Sequence, residues 1–206
     1  MRGVWAGVWL PWLLIAWTGW AETPPHPSLV RVDRYLPGVI IDMRYATTNN
    51  FTGKVIYRDP HAYLRRETVT ALRQVVERLD RQGYRLVILD AYRPPWAQQK
   101  LWEAFPNANF VAPPRSGGSR HSRGTTVDVT LADRSGKLLE MPTAYDAFVP
   151  AAAHGYAKLP GPVLKRRHDL LNAFLSSGFS GVPAEWWHYD LANWPKYPVI
   201  EPTERP

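Results

Sequence analysis

Apolar residues recur at helical spacing between positions 66 and 82. Val69, Leu72, Val75, Val76 and Leu79 fall on one i, i+3, i+4, i+7 stripe, and Gly83 follows where a left-handed residue ends a helix. A second helix is predicted from the Pro94-Pro95 pair to about Ala104, because proline is tolerated in the first helical turn. A third is predicted over Val163–Ser177, with Leu164, Leu170, Leu171, Phe174 and Leu175 facing inward and Gly178 at its end. The β-branched run from Gly38 to Tyr45 predicts a strand, and so does the compact apolar run Leu86–Asp90. Thr125–Leu131 alternates: Thr126, Asp128 and Thr130 share one strand face, and Val127, Val129 and Leu131 share the other. The apolar face is expected to pack on the core, while alternation leaves open whether the polar face meets solvent or lines a cleft. Trp186–Leu191 predicts a last short strand, residues 106–118 a loop, and the tail from Pro195 an irregular segment. Strands and helices alternate only loosely, so the expected fold is a single α+β domain with a mixed or antiparallel sheet covered by helices.

Composition adds little to that pattern except by exclusion. The chain has 206 residues, 45% of them hydrophobic and 21% charged, a globular balance with enough apolar material for one core. Twenty prolines point to long ordered loops. The formal charge is +7, which favours anionic partners, but the basic residues are scattered and no helix-turn-helix, zinc-finger or RNP pattern occurs. Nucleic acid is therefore not an expected partner. There is no cysteine, which excludes disulfides, thiolate metal sites and a lipid anchor on cysteine.

The first residues read as a leader. Met1-Arg2-Gly3 carries one positive charge, Val4 to Trp17 is apolar, and Gly19 and Ala21 are small residues two apart. Cleavage after Ala21 leaves a domain of residues 22–206 and lowers the formal charge to +6 by removing Arg2. Pro11 argues against a stable spanning helix, the alternative being an uncleaved anchor. A periplasmic or secreted protein without a stable membrane anchor is expected.

Two segments carry candidate chemistry: Ser119-Arg-His121-Ser-Arg-Gly124-Thr-Thr-Val-Asp128 and Glu185-Trp-Trp-His188-Tyr-Asp190. A catalytic zinc takes three ligands from His, Asp or Glu and keeps one position open. His121, Asp128 and His188 would supply those three, and Glu185 would be the carboxylate that moves a proton. The competing reading is a His–Asp pair with Trp186 and Trp187 as core. Glu185 and His188 are an odd number of residues apart, so an ideal strand would send them to opposite faces and the segment must bend. His26, His61, His154 and His168 have no second ligand at a recognisable spacing and read as surface or core residues.

These segments, together with Asp42-x-Arg44-Tyr45-Ala46, Asn50-Phe51-Thr52-Gly53-Lys54 and Asp90-x-Tyr92-Arg93-Pro94, resemble the zinc D-alanyl-D-alanine dipeptidases of the VanX type. That group lies within the D,D-carboxypeptidase and dipeptidase superfamily, and the likeness runs from about Val32 to Tyr197. The resemblance implies one Zn2+ per chain held by His121, Asp128 and His188 in a cleft, with Glu185 as general base and acid. It implies that Arg93 stabilises a developing oxyanion and that Ser119, Tyr45 and Asp146 contact a small zwitterionic dipeptide, Asp146 through its ammonium. Arg93 has a second, compatible reading as a salt-bridge partner of Asp90.

Hydrolysis of D-Ala-D-Ala in peptidoglycan fragment turnover is the function so implied. A D,D- or L,D-carboxypeptidase acting on longer wall peptides, or a non-catalytic zinc-binding module, are the alternatives. N-terminal sequencing of the exported protein is expected to start at Glu22, and an intact Met1 would contradict the leader reading.

Overall fold

The computed structural model describes residues 24–108, 110–114 and 118–203, so the segment read as a leader lies outside the described residues. In chain order the elements are β1 (Leu29–Arg31), α1 (Val32–Tyr35), β2 (Ile40–Ile41), β3 (Tyr63–Arg65), α2 (Arg66–Arg81), β4 (Arg85–Asp90), α3 (Pro95–Ala104), β5 (Thr126–Ala132), α4 (Gly161–Leu175), β6 (Phe179–Val182) and β7 (Glu185–Leu191). Short 3-10 turns lie at Arg44–Ala46, Arg120–Arg123, Pro150–Ala152 and Trp194–Lys196. Five strands form one sheet in the order β2-β4-β5-β7-β6, with β2 parallel to β4 and the other pairs antiparallel. This is the mixed sheet of an α+β domain. A separate two-stranded ribbon joins β1 to β3.

The helix stripes explain the layering. Leu72, Val75 and Leu79 of α2 and Leu170 and Phe174 of α4 are buried in one cluster with Leu86, Ile88, Val127, Val129, Leu131 and Tyr189 of the sheet. Phe174 stacks on Tyr189 at 3.9 Å between ring centroids, which seats α4 against β7. The apolar face of β5 thus meets the helices, as expected. Its polar face is buried as well: all seven residues of the strand are inaccessible. Residues Val87, Leu89 and Ala132 form a smaller apolar cluster beside Tyr145 on that second face.

Two bulges set which side chains reach this face. Along β4 and β5 the register runs Ile88 opposite Val129, then Asp90 opposite Asp128, so β4 carries one extra residue, Leu89. The extra residue turns Asp90 from the helical face to the face of Asp128. At the β6–β7 hairpin, Gly181 faces Tyr189 but Val182 faces Glu185, so β7 is bulged between them. That shift returns Glu185 to the same face as His188, which is the bend the odd spacing required.

Some expected elements differ. The run from Gly38 to Tyr45 pairs only at Ile40–Ile41. After Asp42, whose N–H bonds the Ile88 carbonyl, the chain turns through Arg44–Ala46 and swings Tyr45 inward. A β-branched run reports a half-buried surface, and here the burial continues after the pairing has ended. In α4, Val163, Leu170, Ala173 and Phe174 are buried, whereas Leu164 is half-buried and Leu175 is 49% exposed. Leu175 sits one helical step off the inward stripe, at the final turn. The ribbon β1–β3 and the hairpin strand β6 carried no usable periodicity. They are short, and Pro183-Ala184 is an unremarkable pair at the hairpin tip.

Gly124 closes the turn that leads into β5. Its φ is +69°, and a Cβ there would lie 2.7 Å from Leu29 Cδ2 and 3.4 Å from the Arg65 backbone nitrogen. Gly83 also has positive φ, but its nearest neighbour is Arg134 Nε at 4.0 Å. Gly124→Ala is expected to cost about 1–3 kcal/mol, and clearly more than Gly83→Ala, in urea unfolding. Equal losses would contradict the crowding.

Candidate metal centre

One rung across the sheet builds the site. Asp90 of β4, Asp128 of β5 and His188 of β7 lie side by side in register. His121 comes from the 3-10 turn just before β5. Its place is fixed by Gly124, whose N–H bonds the His121 carbonyl and whose carbonyl accepts from Arg65 N and Thr68 Oγ1. The chain end reaches the same turn: Ile200 N donates to Ser122 O.

Three donor atoms converge. His121 Nε2 lies 3.3 Å from Asp128 Oδ1, His188 Nδ1 lies 3.1 Å from the same oxygen, and the two ring nitrogens are 3.4 Å apart. Tetrahedral zinc with ligand bonds of about 2.0–2.1 Å has ligand–ligand edges of about 3.3–3.4 Å. Asp128 Oδ1 is buried and accepts no hydrogen bond. A buried carboxylate oxygen is costly unless a donor or a cation is paired with it. The free ring nitrogens are also the right ones. His121 Nδ1 is 2.8 Å from the Ala91 carbonyl, and His188 Nε2 is 3.1 Å from Asp190 Oδ1, so each imidazole has its outer nitrogen engaged and its inner one turned to the centre. Asp190 is itself held by Thr126 Oγ1 at 2.7 Å and by Arg120 Nη1 at 2.6 Å. The residues present fit a divalent ion such as zinc. Among the described residues, His121, Asp128 and His188 are the one such group.

The charges tie the same residues together. Burial works against the Asp128 anion, but the two histidines outweigh it and hold its carboxyl well below the ordinary range. Burial likewise works against charge on His188, and the carboxylates of Asp128 and Asp190 raise its pKa well above the usual value. Glu185 Oε2 lies 3.6 Å from His188 Nδ1. Burial raises the Glu185 carboxyl above its ordinary value, and His188 holds the rise back.

The remaining expected residues surround this centre unevenly. Arg93 is buried and fixed by Asp90 Oδ2, 2.8 Å from Nε and 2.6 Å from Nη2, and by Gln98 Oε1 at 2.8 Å from Nη1. The salt-bridge reading of Arg93 therefore holds, and its Nη2 still comes within 3.6 Å of Asp128 Oδ2. Tyr45 lies under Arg93, with the guanidinium 5.0 Å from its ring centroid, and donates to Asp146 Oδ2 at 2.9 Å. Burial, and then the Asp128 charge, push the Asp146 carboxyl well above the carboxylate range. Ser119 is buried, and its Oγ accepts the His121 N–H at 3.3 Å, so it caps the turn that carries a ligand.

Asp190, Gln98 and Tyr145 were not singled out from sequence. Asp190 had a signal, since it stands two residues from His188 on the same strand face. Gln98 and Tyr145 had none. Of the other histidines, His61 pairs with Asp59, His168 with Asn172, and His26 caps Ser28. Burial lowers the pKa of His154 to about 4, and it packs against Tyr189. A groove of about 250 Å³ between the ends of α2 and α4, lined by Arg78, Arg81 and Asn172 among others, lies on the helical side away from this centre.

Two imidazoles and one carboxylate at tetrahedral spacing, beside a buried glutamate and a fixed arginine, suit a metal centre of hydrolytic type. A family model described as D-ala-D-ala dipeptidase matches residues 26–201. The D-alanyl-D-alanine dipeptidase of Escherichia coli is 38% identical over 174 residues, which is 84% of this chain and 89% of that one. Those of Streptomyces coelicolor and Enterococcus faecalis are 32% and 33% identical, over 80% and 81% of this chain and 91% and 92% of theirs. The chain belongs to the D-ala-D-ala dipeptidase family.

Removing His188 by substitution with Ala is expected to abolish tight zinc binding, and Asp190→Asn to weaken it by about 10–100-fold. Competition with a chelating indicator measures both. Wild-type affinity in His188→Ala would remove this residue from the centre.

Proposed function

We propose that this protein is a zinc-dependent dipeptidase that hydrolyses D-Ala-D-Ala to two D-alanines, with His121, Asp128 and His188 as metal ligands. The observation that carries the reading is the orphaned oxygen of Asp128, set between two imidazole nitrogens with Glu185 beside them. A zinc ion bound there supplies Lewis acidity and a nucleophile available at neutral pH. Glu185 takes the proton of the attacking water on its carboxylate and returns it to the leaving amine. Its raised pKa suits a group that must both accept and donate. Arg93, held rigid by Asp90 and Gln98, presents a fixed cation to the oxyanion that develops at the scissile carbonyl.

Asp146 supports a dipeptide rather than a longer chain. A nearly buried carboxylate whose charge is disfavoured is compensated by a substrate ammonium placed against it. Tyr45 orients that carboxylate through its hydroxyl. Beside them Phe51 packs edge-on to Tyr45 and to Phe148, which stacks on Phe105 and Phe110. The Ser119 hydroxyl, which accepts the His121 N–H, can still donate to the substrate from the same turn. The apolar leader segment supports action outside the cytoplasm, in turnover of wall fragments.

The test is hydrolysis of D-Ala-D-Ala, L-Ala-L-Ala and a D-Ala-D-Ala-terminated pentapeptide, each with and without chelator. Chelator-sensitive cleavage of D-Ala-D-Ala alone is expected, and cleavage of the pentapeptide would shift the reading to a wall carboxypeptidase. Glu185→Gln is expected to lose about 10²–10⁴ in rate while keeping its zinc. An unimpaired Glu185→Gln would contradict the assigned proton transfer.

A further inference from the structure

The two oxygens of Asp128 are not equivalent. Oδ1 accepts no hydrogen bond and faces the two imidazole nitrogens. Oδ2 accepts the Tyr145 hydroxyl at 2.8 Å and has Arg93 Nη2 at 3.6 Å. Tyr145 belongs to the loop between β5 and α4 and is fixed there by its ring. It stands edge-on to Tyr45 at 6.1 Å and to Trp187 at 5.6 Å between centroids. Trp186, next along β7, donates from Nε1 to Thr143 Oγ1 and ties the same loop down a second time.

We propose that Tyr145 is a positioning residue for Asp128, fixing its carboxylate so that Oδ1 alone reaches the metal. The inference rests on the metal-centre reading above. A carboxylate is free to bind through one oxygen or both. Binding through both would fill the position that a hydrolytic centre must keep open. A phenol hydrogen bond to the anionic Oδ2 is charge-assisted and directional, and it must be broken before that oxygen can turn inward. Arg93 alone does not supply this restraint, because its nearest nitrogen lies beyond hydrogen-bond distance of Oδ2 and its short contacts go to Asp90 and Gln98.

The geometry also joins the metal ligand to the substrate side. Asp146 follows Tyr145 with φ of +58°, a left-handed conformation that sends successive side chains apart. Tyr145 turns to Asp128, and Asp146 turns to the Tyr45 hydroxyl. The loop that carries the proposed ammonium partner is thus pinned on the metal ligand itself.

Tyr145→Phe removes the hydroxyl and keeps the ring contacts. Three readouts on the protein test the inference: zinc affinity by competition with a chelating indicator, the visible spectrum of the Co2+-substituted protein, and thermal unfolding of the metal-free form. Zinc binding is expected to weaken by about 10–100-fold. The cobalt absorption is expected to lose intensity as Asp128 chelates through both oxygens and the coordination number rises. The metal-free Tm is expected to fall by about 2–8 °C, because a buried carboxylate oxygen loses its donor. Unaltered affinity and cobalt spectrum in Tyr145→Phe, with metal bound normally by the wild type, would overturn the role of Tyr145 alone. A larger fall in the metal-free Tm, with the cobalt spectrum unaltered, would assign the residue to structure and overturn it too. A wild type that binds neither metal would overturn the metal centre and this inference together.

Discussion

Asp128 is 3% exposed and sits on the middle strand of the sheet, where an isolated carboxylate would be costly to bury. Much of what surrounds it answers that cost. Histidines stand on two sides of Oδ1, a phenol holds Oδ2, and a guanidinium lies just beyond. Each of those partners is buried or half-buried in turn and has its own support: Ala91 for His121, Asp190 for His188, Asp90 and Gln98 for Arg93. Removing one partner leaves another charge uncompensated, so these residues act as a unit.

The sheet makes that unit possible by departing from regular pleating in two places. Asp90 and Glu185 would both point into the helical core if β4 and β7 alternated without interruption. The bulge at Leu89 and the shift between Gly181 and Val182 redirect them onto the face of Asp128 and His188. A bulge leaves backbone groups unpaired and strengthens local twist. Here each one delivers a carboxylate: one to anchor Arg93, the other to stand beside the ligands. The opposite face keeps regular alternation, and there Phe174, Val127, Val129 and Tyr189 pack the helices against the sheet.

What sequence reasoning could see follows from this division. The α2 stripe and the runs of β4, β5 and β7 were legible because burial on the helical face is periodic. His121, Asp128, His188 and Glu185 stood out because candidate ligands and a carboxylate crowd two short segments, whereas Arg93, Tyr45, Ser119 and Asp146 were legible only through the family resemblance. The alternation of β5 left open whether its polar face is wet. The loop that covers it, with Tyr145 on Asp128, is distant in sequence and has no pattern of its own. The register shifts, one extra residue in β4 and three in β7, leave no trace in composition, so the side on which Glu185 emerges could be required but not located. The strand read over residues 38–45 was lost to the turn at Arg44 because a β-branched run does not distinguish pairing from burial.

The account turns on which atoms meet the metal. Crystals of the protein grown with zinc, with anomalous diffraction measured on both sides of the zinc absorption edge, address that directly. One peak is predicted, bonded to His121 Nε2, Asp128 Oδ1 and His188 Nδ1 at about 2.0–2.2 Å. No peak there, or a zinc bonded through Asp128 Oδ2 or through the outer ring nitrogens, would contradict it.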